Sequence, residues 1–365
     1  MLADLLFQPT RIGSMQLGNR VVMAPMTRSL SPYGVPGENV AAYYARRAAN
    51  SVGLIITEGT VVGHPASSND VNVPRFYGED ALAGWARVVK EVHAVDGHIA
   101  AQLWHVGSVR KSIESPNPEV ASVSPSGLRK PGTPYGGPMS DDEIEVVVGA
   151  FEQAARAAQT LGFDAVEIHG AHGYLIDQFL WDAMNVRADR YGGSISGRAR
   201  FATEVVKACR YAVGPEFPII FRLSQWKVQD YTARLVKSPA ELNQLITPLA
   251  EAGVDLFHCS TRRYWEPEFP GSELNIAGWV KCLSAVPTIT VGSVGRDPDA
   301  LLPGSPDRAP ITRADRLIEM LLNAEVDLVA VGRPLLADPE WARKVRDGRI
   351  DETIPFTPEV MSRLY

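Results

Sequence analysis

Eight short, predominantly apolar runs recur along the chain, at 21–25, 53–57, 99–103, 165–169, 219–223, 256–260, 288–291 and 328–331. They do not alternate apolar with polar residues, as a sheet wetted on one face would. Such runs read as parallel strands covered on both faces. The segments between them carry helical signals. Trp85, Val88, Val89, Val92 and Val95 share one helical face, with Gly97 as the stop. Ser140-Asp141-Asp142-Glu143 reads as a capping box. The apolar stripe Ile144, Val147, Val148, Phe151, Ala154, Ala155 and Ala158 follows it, closed by Gly162. Ser238-Pro239-Ala240-Glu241 reads as a second box with proline at the first helical position. Leu242, Leu245, Ile246 and Leu249 continue that helix, and Pro248 is expected to kink it. Asp338-Pro339 opens one more helix near the C-terminus.

Strand followed by helix, eight times over 365 residues, predicts a (β/α)8 TIM barrel forming one domain across 1–365. An open doubly wound sheet is the competitor. No G-x-G-x-x-G turn follows any run, which disfavours it. Gly13 and Gly18 separate short apolar runs ahead of Val21 and predict an N-terminal hairpin closing the barrel bottom. Two stretches break the rhythm. The proline-rich connection 104–139 is of a length that is usually functional or mobile. The Pro/Asp-rich insertion 296–310 reads equally as a surface excursion or a functional loop.

Forty-two acidic against 36 basic side chains give a net charge of −6, which argues against nucleic acid as the main partner. A hydrophobic fraction of 45% excludes a disordered chain. No window approaches the ~18 apolar residues of a membrane span. The first ten residues lack a basic segment followed by an apolar core, so no secretory signal is visible. Cys209, Cys259 and Cys282 are odd in number and widely spaced. That argues against a disulfide framework or a cysteine zinc cluster and fits a reducing, cytoplasmic setting.

In a barrel of this kind the chemistry sits where the strands end. Gly292-Ser293-Val294-Gly295 after the seventh run and Gly332-Arg333 after the eighth match a phosphate pocket, with backbone N–H groups near an anion and Arg333 adding charge. Glycine turns without a ligand are the plainer reading. The densest constellation is Glu167-Ile168-His169-Gly170-Ala171-His172-Gly173-Tyr174. The spacing of His169 and His172, with no acidic ligand as in H-E-x-x-H, argues against zinc. Two structural histidines are the bland alternative. The chemical one is a pair of imidazole N–H donors for a developing oxyanion beside a tyrosine proton donor. Gln102 and Arg222 are polar residues inside apolar strands. Left unpaired when buried they would cost a few kcal/mol. A planar ligand with ring carbonyls would satisfy both, as would an internal ion pair or a water.

These residues resemble the old yellow enzyme family of FMN-dependent ene-reductases. The resemblance runs from Phe7-Gln8-Pro9 to Gly332-Arg333-Pro334. Its pieces include Asn19-Arg20-Val21-Val22-Met23-Ala24-Pro25-Met26-Thr27-Arg28, Ile55-Ile56-Thr57-Glu58-Gly59 and Gln102-Leu103-Trp104. The strongest is His169-Gly170-Ala171-His172-Gly173-Tyr174-Leu175 with Asp177-Gln178-Phe179-Leu180, continuing through Asn185, Arg187, Asp189 and Tyr191-Gly192-Gly193-Ser194.

The resemblance implies FMN at the barrel mouth, with NAD(P)H as reductant and activated alkenes as oxidising substrates. It puts Pro25, Met26 and Thr27 along the isoalloxazine, and Gly59 and Gln102 at the pyrimidine edge. It puts Arg222 by N1 and O2, and Gly292, Ser293, Val294, Gly295, Gly332 and Arg333 around the phosphate. His169 and His172 match the family's donors to the substrate carbonyl or the nicotinamide amide, and Tyr174 its proton donor. Trp104 shapes the substrate pocket, and loop position adds Trp265. Ser293 stands where many members have a second glycine. The segment Arg262-Arg263-Tyr264-Trp265-Glu266 is atypical. Two other classes compete. One is a cofactor-free barrel lyase or isomerase acting on a phosphorylated substrate, which leaves Gln102 unexplained. The other is a non-catalytic flavin carrier, which leaves the histidine–tyrosine group unexplained.

Overall fold

The computed structural model describes residues 1–365 apart from 112, 114, 296–310 and 312. Eight strands build the core: β1 (Val21–Met23), β2 (Leu54–Val61), β3 (Ile99–Trp104), β4 (Ala165–His169), β5 (Ile219–Ser224), β6 (Leu256–Ser260), β7 (Thr288–Val291) and β8 (Leu328–Val331). Each pairs in parallel with its successor, and β8 returns to β1, so the sheet closes as a (β/α)8 barrel. Helices between the strands cover the outside, which is why every residue of β2 to β6 is buried. The 296–310 insertion lies outside the described residues.

The bottom is sealed as expected. Thr10–Ile12 and Met15–Leu17 form an antiparallel hairpin turned by Gly13 at φ +56°. Its Ile12, Met15 and Leu17 pack into one cluster with Val22, Leu54, Ala100, Ala165, Ile220 and Leu256 at the lower ends of the strands. A short helix, Leu2–Leu6, precedes the hairpin without a sequence signal of its own.

Helix ends test the capping arguments. The Ser140 box forms in full around Asp141–Leu161, and Gly162 closes that helix at φ +87°. The Ser238 box forms only by half. Ser238 Oγ accepts the Glu241 N–H at 3.2 Å, but the Glu241 carboxylate takes the N–H of Lys237 at 2.6 Å. The helix Pro239–Glu251 continues through Pro248. The helix Glu79–His93 ends four residues before Gly97, and Val95 is exposed beyond it. Gly97 answers to packing instead, since a Cβ there would lie 2.5 Å from Ala48 Cβ.

The 104–139 connection is anchored to the barrel. It contains a 3-10 turn at Gly107–Val109 and a small hairpin, Leu128–Lys130 with Thr133–Pro134. The buried Arg110 guanidinium donates to the carbonyls of Ser68 (3.1 Å) and Val120 (2.6 Å). At the C-terminus, Arg28 donates to the carbonyls of Val360 and Arg363 and straps the last residues onto the barrel.

Candidate active site

Inward-facing residues along a strand recur with period two. On β3 to β6 the inward series begins with Ala100, Ala165, Ile220 and Leu256 in the apolar lower cluster. In the same phase it continues upward as Gln102, Glu167 with His169, Arg222 with Ser224, and His258 with Ser260. The barrel interior therefore turns from apolar to ionisable within one residue step.

The buried polar layer is bonded across three strands. Gln102 Nε2 donates to Glu167 Oε1 at 2.7 Å, and Glu167 Oε2 meets His258 Nδ1 at 2.6 Å. Burial by itself raises the Glu167 carboxyl. The attraction of His258 and Arg222 more than offsets it, and the group sits below its ordinary value. Arg222 pairs in register with His169 on one side and His258 on the other. Its Nε and His258 Nε2 have no hydrogen-bond partner among the described residues. Glu167 and His258 were missed as site residues by sequence reasoning. The signal was there: an ionisable residue in the inward phase of an apolar run.

Above this layer lies an aromatic group at the ends of β3 and β4. The Trp104 ring stands edge-on to Tyr174 at 4.8 Å, and Tyr174 edge-on to His169 at 5.1 Å. His169 and His172 are edge-on at 5.2 Å. His172 Nε2 lies 2.8 Å from Ser260 Oγ, and the ring stacks on Trp226 at 4.3 Å. Ala171 N–H points at His169 Nδ1 (3.4 Å), which leaves the proton on Nε2. Burial, with Arg222 nearby, holds both imidazoles well below their usual range, so they are neutral at pH 7. Burial pushes the Tyr174 phenol up and keeps it protonated.

The loop carrying His172 and Tyr174 is held from below. His172 adopts φ +65°, an uncommon conformation for a histidine, and its N–H donates to Ser224 Oγ at 2.9 Å. Gly173 N–H donates to Asp177 Oδ2 and Lys227 Nζ to Asp177 Oδ1, both at 2.6 Å. This ion pair is fully buried. Asp177 was visible only as part of a motif, and Lys227 carried no signal.

A cavity of about 560 Å³ opens over the C-terminal ends of the strands. Among its walls are Pro25, Met26, Arg222, Gly292, Ser293, Val294, Gly332 and Arg333. Ser260 and Trp226 also line it and connect it to His172. Gly292 (φ +146°) has no room for a side chain, because a Cβ would fall 2.4 Å from Thr261 Oγ1. Gly332 brings backbone close to Met26, whose sulfur is 3.5 Å from where a Cβ would sit. Ser293 Oγ donates to the Arg262 carbonyl at 3.0 Å.

Other expected contacts sit differently. Thr27 is exposed beside Met26. Gly59 makes room for Trp104, since a Cβ would lie 2.6 Å from its ring. Gly295 faces Trp341, 3.0 Å from where a Cβ would be, and is not part of the cavity wall. Trp265 is not part of it either. Tyr264 is buried and donates to the Arg313 carbonyl, and this turns Trp265 edge-on against the Tyr264 ring at 5.1 Å. Among the described residues no group of three His, Cys, Asp or Glu is placed to hold a metal, and no helix is long and apolar enough to cross a membrane.

A parallel barrel whose mouth joins glycine turns to a buried arginine with an unpartnered Nε fits a flavin-dependent oxidoreductase of the TIM-barrel class. The family model for NADH:flavin oxidoreductase / NADH oxidase matches residues 5–352, and the chain belongs to that family. It is 34% identical over 363 residues to an NADH oxidase of Thermoanaerobacter brockii, covering 95% of this chain and 51% of that one. It is 43% identical over 223 residues to 12-oxophytodienoate reductase 7 of Oryza sativa subsp. japonica, covering 58% and 56%. The match thus takes in about half the length of each of these relatives. Morphinone reductase in complex with tetrahydroNAD superposes with a TM-score of 0.82 at 33% identity, covering 98% of this chain and 93% of that one.

FMN is the cofactor of this family, and the residues present fit it. Arg222 is buried without a hydrogen-bonding partner for its Nε, as a guanidinium reserved for an acceptor-rich ring edge would be. The side-chain-free backbone at Gly292 and Gly332, beside Arg333 in the cavity wall, suits a phosphate.

Proposed function

We propose that the protein oxidises NAD(P)H and reduces the C=C bond of α,β-unsaturated carbonyl compounds or related electron-poor alkenes. Both partners use one site in turn, which gives ping-pong kinetics. The single observation that carries this reading is the buried His169–His172 pair edge-on beside Tyr174, next to Arg222 with its unpartnered Nε. FMN, when bound, would supply the hydride chemistry that links nicotinamide oxidation to alkene reduction.

The chain's own residues do the rest. Pro25, Met26 and Thr27 would line the flavin ring, with Gly59 and Gln102 toward its pyrimidine edge. Arg222 would face the edge that gains negative charge on reduction. Gln102 is already oriented by Glu167, so its carbonyl oxygen is its free end. Gly292, Ser293, Val294, Gly332 and Arg333 would hold the phosphate, with Gly295 shaping the turn from behind. His169 and His172 are donors for the substrate carbonyl oxygen, where charge builds up as the alkene is reduced. Tyr174 gives its phenolic proton to the α-carbon. Trp104 holds the Tyr174 ring in place.

The cofactor-free lyase or isomerase reading is weakened by the one lysine just past β5. Lys227 is fully buried and committed to Asp177, so it does not serve as a Schiff-base nucleophile. Binding of FMN, seen as visible absorption in purified protein, separates the two readings outright. The mechanism is tested by Tyr174→Phe. The variant should still be reduced by NAD(P)H near the wild-type rate, while alkene-driven reoxidation in stopped flow slows about 10²- to 10⁴-fold. Equal losses in both half-reactions would remove Tyr174 as the proton donor.

A further inference from the structure

The cavity wall contains more positive charge than a flavin needs. Besides Arg222 and Arg333 it includes Arg234, Arg262 and Arg263, on a chain whose net charge is −6. Acidic neighbours account for only part of this. Arg263 is paired with Glu266 at 2.9 Å, and Glu268 accepts a hydrogen bond from Gln225 Nε2 at 2.9 Å. The guanidinium groups of Arg262 and Arg234 make no hydrogen bond or ion pair among the described residues, although Arg234 lies within the electrostatic reach of the Glu268 carboxylate.

Arg262 is nevertheless held in place. Its guanidinium carbon lies 4.2 Å above the Tyr231 ring and 5.8 Å from that of Trp226. Its carbonyl accepts from Ser293 in the turn after β7. Tyr231 and Trp226 lie 5.6 Å apart with their rings tilted by 34°, and Trp226 stacks on His172. A continuous line of flat groups therefore runs from His172 to an arginine with one face covered by aromatic rings and its N–H edge free. Stacking pre-orders such a guanidinium and leaves its donor fork for an oxyanion.

We propose that Arg262 and Arg234 form a subsite for the 2′-phosphate of NADPH, which makes NADPH the preferred reductant. This rests on the reading of the site as one that binds a nicotinamide nucleotide. A dinucleotide whose nicotinamide amide is held at His169 and His172 must leave the cavity past its walls, and Trp226, Tyr231 and Arg262 lead outward from His172. A phosphomonoester has close to two negative charges at pH 7 and three acceptor oxygens. That is the anion two unpaired guanidinium groups suit, and it is the group NADH lacks.

The test uses the FMN-loaded enzyme and its Arg262→Ala, Arg234→Ala and Arg262→Lys variants. The wild type should show a higher kcat/KM for NADPH than for NADH. Arg262→Ala should lower that ratio about tenfold and weaken 2′,5′-ADP in calorimetry about tenfold without weakening 5′-AMP. Arg234→Ala should move both the same way, and Arg262→Lys should recover part of the loss. Equal losses for NADPH and NADH would overturn the proposal, since the arginines would then meet groups common to both. An unchanged ratio would also overturn it. So would release of FMN from Arg262→Ala on ultrafiltration, because Arg262 would then serve the flavin's own phosphate. If neither nucleotide reduces the wild-type flavin, the reductase reading fails separately, and the 2′,5′-ADP titration still decides the subsite.

Discussion

The lower and upper halves of the barrel interior share strands and inward phase but almost no chemistry. Below, Leu54, Ala100, Ala165, Ile220 and Leu256 close against the hairpin residues Ile12, Met15 and Leu17. Above, the same strands present Gln102, Glu167, Arg222 and His258, all buried, with Gln102 and His258 bonded to Glu167 and with Arg222 Nε and His258 Nε2 left over. Apolar contacts in the lower half are non-directional and need no specific partner atom. In the upper half each group depends on a specific partner, and a group left unpaired is poised for a ligand. Stability is concentrated at one end of the cylinder and binding capacity at the other, as strand ends and loops of a rigid scaffold allow.

The largest break in this comparison should come from the charge pair under the catalytic loop. Lys227→Met leaves the Asp177 carboxylate fully buried without its cation, which costs about 3–5 kcal/mol. Urea unfolding of the FMN-bound protein measures it. Asp177→Asn combined with Lys227→Met should cost clearly less than Lys227→Met alone, because replacing both partners removes the stranded charge. A double variant as unstable as the sum of the singles would mean the two residues act independently.

That pair also marks where the sequence stops being legible. The runs at 165–169, 256–260, 288–291 and 328–331 coincide with β4, β6, β7 and β8, because buried parallel strands are dense local signals. The hairpin followed from Gly13 between short apolar runs, and His169, His172 and Tyr174 fall together because all three lie within six consecutive residues, 169–174. The Glu167–His258 bond spans 91 residues and exists only once the barrel closes. Lys227 reaches Asp177 across 50 residues, from a loop with no pattern. Gly97 looks like a helix stop in the sequence, and only the neighbouring helix shows that it is a packing glycine. A loop position likewise does not say which of two adjacent aromatics turns inward: Tyr264 takes the buried place and Trp265 lies edge-on against it.

A cavity in the lower half should cost stability and nothing else. Leu54→Ala, at a fully buried position in the sealed cluster, should destabilise by about 2–5 kcal/mol. Both half-reaction rates per folded molecule should stay at the wild-type value, since no residue of that cluster approaches Arg222 or the histidines through a hydrogen bond. A changed alkene rate would show that strain passes from the lower layer to the upper one.

The smallest effect sharpens the comparison at the rim, where β2 leaves the barrel. Glu58 Oε2 accepts the N–H groups of Arg28 (2.8 Å) and Ser29 (3.1 Å) just after β1, while burial pushes its carboxyl up to about 7. Its reference value in an open chain is 4.5. Because the folded value is the higher one, the folded protein keeps a proton that the unfolded chain gives up. The contribution of Glu58 to stability is therefore fully present below the unfolded value and lost as pH rises through about 7. Glu58→Gln keeps an acceptor oxygen for both N–H groups and never ionises. Relative to wild type it should gain about 2 kcal/mol between pH 5 and pH 8, read from urea midpoints at the two values. A difference that stays constant with pH would mean that Glu58 ionises in the fold as readily as in the open chain, and that this part of the rim behaves like solvent-facing surface.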